Sequence, residues 1–201
     1  MTYMTGALIG RGIYDPAEAA RLVRVHPETL TRWTSGDQPL LTPSFEQFFD
    51  FEDLVSLLVI AELWRRNVQM SEIRKGIKVL AEELGVDRPL AHVDAPGKGF
   101  QLAFQPVIEP VLRPLEYDLH GMARLWRPLD LVTATPTVQA GTPCIDATRV
   151  PTNTIDGLVP VGEAVEDIAF DLDLEIEEIE AALRFEAALR DLLLADKVFA
   201  Q

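Results

Sequence analysis

Asp15-Pro16-Ala17-Glu18-Ala19-Ala20-Arg21-Leu22-Val23-Arg24-Val25-His26-Pro27-Glu28-Thr29-Leu30-Thr31-Arg32-Trp33 reads as two short helices joined by a tight turn. Asp15 is placed to cap the first helix, Pro16 suits its first position, and Glu18 stands where a capping box closes. Ala19, Ala20 and Leu22 offer a small apolar face that lets a second helix lie close. His26-Pro27 restarts helix, because proline is tolerated in a first turn. Leu30 and Trp33, three apart, face the core; Glu28, Thr29, Thr31 and Arg32 are then outward, with Pro27 at the helix start. This is the layout of a helix-turn-helix DNA reader, which makes Pro27, Glu28, Thr29, Thr31 and Arg32 the candidate DNA contacts. The same layout occurs in proteins that never touch nucleic acid, and Glu28 repels phosphate, so both readings stand on these residues alone.

Composition sets the bounds. The chain has 201 residues, enough for one large domain or two small ones with a substantial core. Its one cysteine, Cys144, excludes an internal disulfide framework and fits a reducing compartment. No apolar run approaches a membrane span, and Met1 to Gly10 lacks the regions of a signal peptide, so the expected location is cytoplasmic. Net charge is −14, which by itself disfavours DNA, but the charge is unevenly spread. Residues 1–34 carry four Arg against three acids, whereas residues 129–201 carry four basic and fifteen acidic residues. The imbalance implies two jobs: one end near DNA, the other facing a basic partner. The bland alternative is that the acids solvate a helical surface.

Between these ends the pattern predicts helices and turns. Thr34 to Ser44 is rich in turn formers, long enough for a small wing or a loop. A helix apolar on most sides is expected from Asp50 to about Arg66, hence a buried central helix. A second, amphipathic helix follows from about Ser71 to Gly85, with Ile73, Ile77, Leu80 and Leu84 at helical spacing. Arg74, Lys75 and Lys78 lie on its outer side, as phosphate contacts or as ordinary solvated charge. Ala95-Pro96-Gly97-Lys98-Gly99 signals a turn, and Phe100 to Phe104 alternates like a strand, so a hairpin is expected there. Pro106, Pro110 and Pro114 recur every four residues; that spacing forbids a long regular helix and leaves short helical turns or an extended path open. Trp126 is expected in a core or at a domain junction. Beyond Leu129, a short strand at Leu131–Thr133 precedes three helical pieces, near 154–159, 164–170 and 175–196. The last carries a wide apolar stripe that includes Ile176, Leu183, Phe185 and Leu189.

No catalytic constellation is evident. His26, His92 and His120 share no ligand spacing, Cys144 has neither a partner cysteine nor a nearby His, and no Gly-rich phosphate loop appears. The acids from Asp171 to Glu180 alternate along a helix start and do not converge on one point. No enzyme activity, metal or cofactor is expected.

Two parts of the chain resemble known families. The opening pair of helices with the helices from Asp50 to Gly85 resembles the MerR-like helix-turn-helix group. Gly141-Thr142-Pro143-Cys144-Ile145-Asp146-Ala147-Thr148-Arg149-Val150-Pro151-Thr152, continuing through Gly162 to Ala169 and Ile176 to Leu183, is similar to the family named domain of unknown function 433. That family's pattern runs Gly-x-Pro-x-Ile-x-Gly-Thr-Arg-Ile/Val-Pro; here Ala147 stands at the Gly position, and Arg24 stands where reader turns commonly carry Gly. His26 and Thr31 occupy the places of the usual Ser cap and an additional Arg. The combination resembles VapB-type antitoxins, which pair with PIN-fold ribonuclease toxins. The resemblance implies a mainly α fold with a small β component: a DNA-binding domain at 1–85, a linker at 86–128, and an acidic partner-binding domain at 129–201 built as a small helical, helix-turn-helix-like unit. It further implies operator DNA and a PIN-like ribonuclease toxin as partners, and a homodimer.

An acidic helical end suits the basic RNA groove of such a toxin. Leu192, Leu193, Leu194, Val198 and Phe199 suit a helix-in-groove contact with the partner, while Leu183, Phe185 and Leu189 are expected to pack on their own domain. Gly141, Pro143, Thr148, Arg149 and Pro151 form the structural motif, in which the Arg149 guanidinium is expected to clamp backbone carbonyls. Two alternatives stand beside this reading: a MerR-like ligand-responsive regulator without a toxin, and an interaction module that no longer binds DNA.

Overall fold

The computed structural model of the protein describes residues 10–95 and 105–196. Asp15 caps the first helix, α1 (Pro16–Val23), by accepting the Glu18 N–H at 2.8 Å. Arg24 ends it in left-handed backbone, its N–H turned back onto the carbonyls of Ala20 and Arg21. His26 starts α2 (Pro27–Thr34). Asp50 and Asp53 form a reciprocal capping box at the head of α3 (Phe51–Arg65). That helix is buried on nearly every side, from Phe51 and Leu54 to Ile60 and Leu63, as its uninterrupted apolar content predicts. α4 (Met70–Leu84) buries Ile73 and Leu80 and is closed by Gly85 at φ +69°.

The proline run resolves into α5 (Gln105–Leu112). Pro106 is at its second position, where a missing N–H costs nothing, Pro110 lies inside, and the helix stops before Pro114. The hairpin expected over Phe100 to Phe104 falls outside the described residues.

Four short strands follow: β1 (Leu115–Tyr117), β2 (Ala123–Leu129), β3 (Val132–Ala134) and β4 (Cys144–Ile145), in the order β1-β2-β3-β4. β2 and β3 are antiparallel, pairing Trp126 with Ala134 and Leu129 with Val132. The register shifts between those pairs, a span that includes Pro128, which has no N–H to give the ladder. β3 pairs antiparallel with β4. Among the described residues three α-helices follow: α6 (Thr152–Leu158), α7 (Val165–Leu172) and α8 (Ile176–Asp196). The fold is mainly helical with a small antiparallel sheet, and each expected helix is present within about two residues of its expected bounds.

The chain divides into two compact units, Ile13–Arg124 and Leu125–Gln201 with Met1–Gly12. The first is built on α3. In the second, Ile145, Ile155, Ile168, Ala169, Ile179 and Ala182 form the core, with Val150, Leu158, Leu172 and Leu183 packed against it. Trp126 is buried there, edge-on to Phe185 at 6.3 Å. No helix among the described residues is long and apolar enough to cross a membrane.

Candidate nucleic-acid interface and partner face

The α1–α2 pair is held from beneath. Leu30 and Trp33 are buried, and Trp33 meets Trp64 of α3 edge-to-face at 5.8 Å. Arg65 of α3 donates to the carbonyls of Val23 and Arg24 at 2.7 and 3.0 Å, which satisfies the open end of α1 and fixes the turn. Burial and the neighbouring Arg65 charge lower the pKa of Arg24. With the inner face occupied, Pro27, Glu28, Thr31 and Arg32 are exposed, as expected from the spacing.

Thr29 is not: it is 6% exposed. At 100° per residue it lies beside Trp33 on the flank of the buried face, so it belongs to the packing rather than to the outer surface. Its hydroxyl accepts from Arg32 Nη2 at 3.0 Å and so orients the guanidinium. The Thr31 hydroxyl donates to the Pro27 carbonyl at 3.0 Å, inside its own helix. On α4, Lys75 and Lys78 are exposed, whereas Arg74 is tied to the Gln38 carbonyl at 2.8 Å.

The segment after α2 folds back on an ionic anchor. Asp53 is fully buried and pairs with Arg88; it also accepts the N–H groups of Ser44 at 2.8 Å and Asp50 at 3.2 Å. Arg88 in turn donates to the Thr42 carbonyl at 2.7 Å. Phe45 and Phe48 close a tight turn, and Phe49 bonds Tyr14 through both backbone groups at 2.9 Å. A shallow cleft with about 30 Å³ of room, partly open to solvent, lies between Leu40, Ile60, Ile77, Arg88 and Leu90. It falls short of the few hundred to a thousand Å³ of typical small-molecule sites.

In the second unit the Gly141–Thr152 stretch is a hydrogen-bonded loop. Gln139, Ala140 and Gly141 are successive left-handed residues, and Ala147 is left-handed too, at φ +57°, with its N–H on Asp146 Oδ1 at 3.0 Å. Arg127 grips Asp146 at 2.6 Å and, as the main cause, holds its carboxyl below the usual carboxylate range. Thr148 donates to the Ile145 carbonyl and accepts from the Val150 N–H. Gly141 and Pro143 are buried, and Pro151 bridges back to Cys144.

Arg149 behaves differently from expectation. Its carbonyl accepts from Gln139 Nε2 at 2.9 Å, but its side chain is exposed; among the described residues it has no hydrogen-bond acceptor or ion-pair partner. The loop is closed instead by short backbone and threonine bonds. Burial pushes the Cys144 thiol up to about 11, with Arg149 opposing, so it is a poor nucleophile.

Glu186 of α8 escaped the sequence reading. It lies inside the apolar stripe of that helix, 3% exposed, and accepts from the Thr152 hydroxyl at 2.6 Å. A single Glu among alanines gives no local sign of such a partner. Leu183 is half-buried, and Phe185 and Leu189 are buried, as expected. Leu192, Leu193 and Leu194 fall within the span of α8, but their side chains, with Val198 and Phe199, lie outside the described residues. No three His, Cys, Asp or Glu side chains among the described residues are grouped to hold a metal.

Among curated proteins none matches this sequence. A solved structure, the X-ray crystal structure of RV2018 from Mycobacterium tuberculosis, is similar over 85% of this chain and 96% of that chain, with a TM-score of 0.71 and 20% identity. At that identity the likeness is one of fold. Residues 132–185, from β3 to the middle of α8, match the family model described as "Protein of unknown function (DUF433)".

Proposed function

We propose that the chain is an antitoxin with two working surfaces: a MerR-like helix-turn-helix that binds operator DNA, and an acidic carboxyl-terminal unit that binds and silences a PIN-like ribonuclease. The observation that carries the reading is a short exposed helix on one unit and a strongly acidic stretch on a second, separately cored unit. One presents Pro27, Glu28, Thr31 and Arg32 on a short helix braced from below. The other has no Lys or Arg from Val150 to Leu183, and ten acids in that span. A surface of the second kind repels nucleic acid and attracts a protein with a basic RNA groove.

In this reading Arg32 is the principal phosphate or base contact of α2, held in place by Thr29. A homodimer doubles the contact by placing two readers about one helical turn of DNA apart. The motif match to the domain of unknown function 433, preceded by the two-helix reader, is the arrangement seen in the VapB-type resemblance. The ligand-responsive alternative draws only on the cleft by Ile60 and Ile77, which is small for that task.

Co-expression decides the toxin arm. The product of the adjacent open reading frame should arrest growth alone and be harmless, and co-purify, with this chain. A harmless neighbour that fails to co-purify overturns the reading. For the DNA arm, Arg32→Ala should weaken operator binding severalfold and lower the slope of log affinity against log salt by about one. An unchanged slope removes Arg32 from the phosphate contacts.

A further inference from the structure

α7 places an aromatic ring where its own unit does not use it. Ile168 and Ala169 are buried in the core of the second unit, and Val165 and Leu172 pack against that core. At 100° per residue Phe170 falls about 150° from the centre of this face, so it points away from the core. It is 85% exposed. Six residues on, Ile176 at the head of α8 is 45% exposed. A phenyl ring left almost wholly in water on a helix whose other side is packed is the kind of residue that anchors protein contacts.

The surroundings say what kind of contact. Glu166 and Asp167 stand one turn before Phe170 on the same helix and are exposed. Asp171, Asp173, Glu175 and Glu177 follow, also exposed. A second copy of the chain would set these acids against themselves, and an anionic lipid surface or nucleic acid would be repelled in the same way. A buried aromatic anchor inside a charged rim is the usual anatomy of a protein interface.

We propose that the outward face of α7, with Phe170 as its anchor and the acids of the α7–α8 turn as its rim, docks a basic protein that offers an apolar socket for the ring. For the identity of that partner the inference rests on the antitoxin reading. It moves the main contact from the terminal leucines to the α7–α8 turn.

The test uses the full chain and Phe170→Ser, an exposed change that should leave the melting temperature and operator binding unaltered. Two probes are titrated calorimetrically: the product of the adjacent open reading frame, and a synthetic amphipathic Leu/Lys helix peptide. The expected result is that Phe170→Ser weakens each about tenfold or more, and that binding to the natural chain falls with added salt. Equal affinity of Phe170→Ser for the neighbouring gene product overturns this inference while leaving the antitoxin reading in place. If that product does not bind the natural chain at all, the antitoxin reading fails and the peptide decides. Peptide binding lost with Phe170→Ser supports the surface, and binding that is absent or indifferent to the substitution overturns it. A dimer that dissociates on Phe170→Ser assigns the face to a second copy and overturns the inference as well.

Discussion

Two residues hold left-handed backbone at positions where the resembled families carry glycine: Arg24 at φ +62° and Ala147 at φ +57°. A β-carbon in that region costs about 1 kcal/mol relative to glycine. Ala147→Gly is therefore expected to raise stability by about 0.5–1 kcal/mol, read as a higher urea midpoint. Arg24→Gly gains the same relief and also removes a like charge from Arg65, whereas Arg24→Ala removes the charge alone. The ranking Gly above Ala at position 24 is the check. Asp146 supplies a pH dependence. Its carboxyl titrates lower in the folded chain than in the unfolded one, first because Arg127 donates to it. The unfolded state thus binds the proton more readily, and the contribution is present above about pH 4 and lost as pH falls through the lower folded value. Asp146→Asn should be less stable than the natural chain at pH 7, and the gap should close on acidification. A constant gap would mean that the Arg127 pair adds nothing.

At the scale of an element, α3 depends on its first turn. Asn caps a helix about as well as Asp, so Asp50→Asn should cost no more than about 1 kcal/mol. Asp53→Asn keeps part of the capping geometry but leaves Arg88, part-buried, without its counter-charge; a loss nearer 3 kcal/mol is expected. Thermal melts of the two variants test the order. The same helix shows what a sequence can disclose. Asp50, the apolar run after it and the turn formers before it are local signals, and they predict the cap, the burial and the start of α3. The partner of Asp53 is 35 residues away, and that of Glu186 is Thr152, 34 residues away. Such pairs depend on how helices are laid together, which helical periodicity does not encode. Thr29 differs from its expected outward place for a related reason: an eight-residue helix has a flank as well as two faces, and how much of the flank is covered depends on what packs beside it. Phe170 carries no local signal of its exposure either, which depends on the core of its unit lying on the other side of α7. For the candidate interfaces, the exposed Pro27, Glu28, Thr31 and Arg32 were legible from spacing, whereas the free side of α7 was not.

For the whole molecule, the division into two cores makes stability local. Residues 13–124 are organised around α3, residues 125–190 around Ile145, Ile168 and Ile179, and β2 passes from one unit to the other. Substitutions far apart with no shared partners add independently, and separate cores open as separate cooperative units. Asp53→Asn should therefore speed amide hydrogen exchange along α3 and α1 while leaving β3, β4 and α8 as protected as before. Glu186→Gln weakens a buried hydrogen bond to Thr152, at a cost of about 1–3 kcal/mol, and should do the reverse. Native-state exchange monitored by mass spectrometry gives both patterns in one experiment. If either variant lowered protection in both units equally, the chain would open as a single cooperative body, and the charge division would then be a property of one surface rather than of two independently stable modules. If the patterns separate, a change that loosens the reader leaves the acidic unit folded. That independence is what the proposed antitoxin role requires, since the acidic unit would have to hold a toxin whether or not the first unit is on DNA.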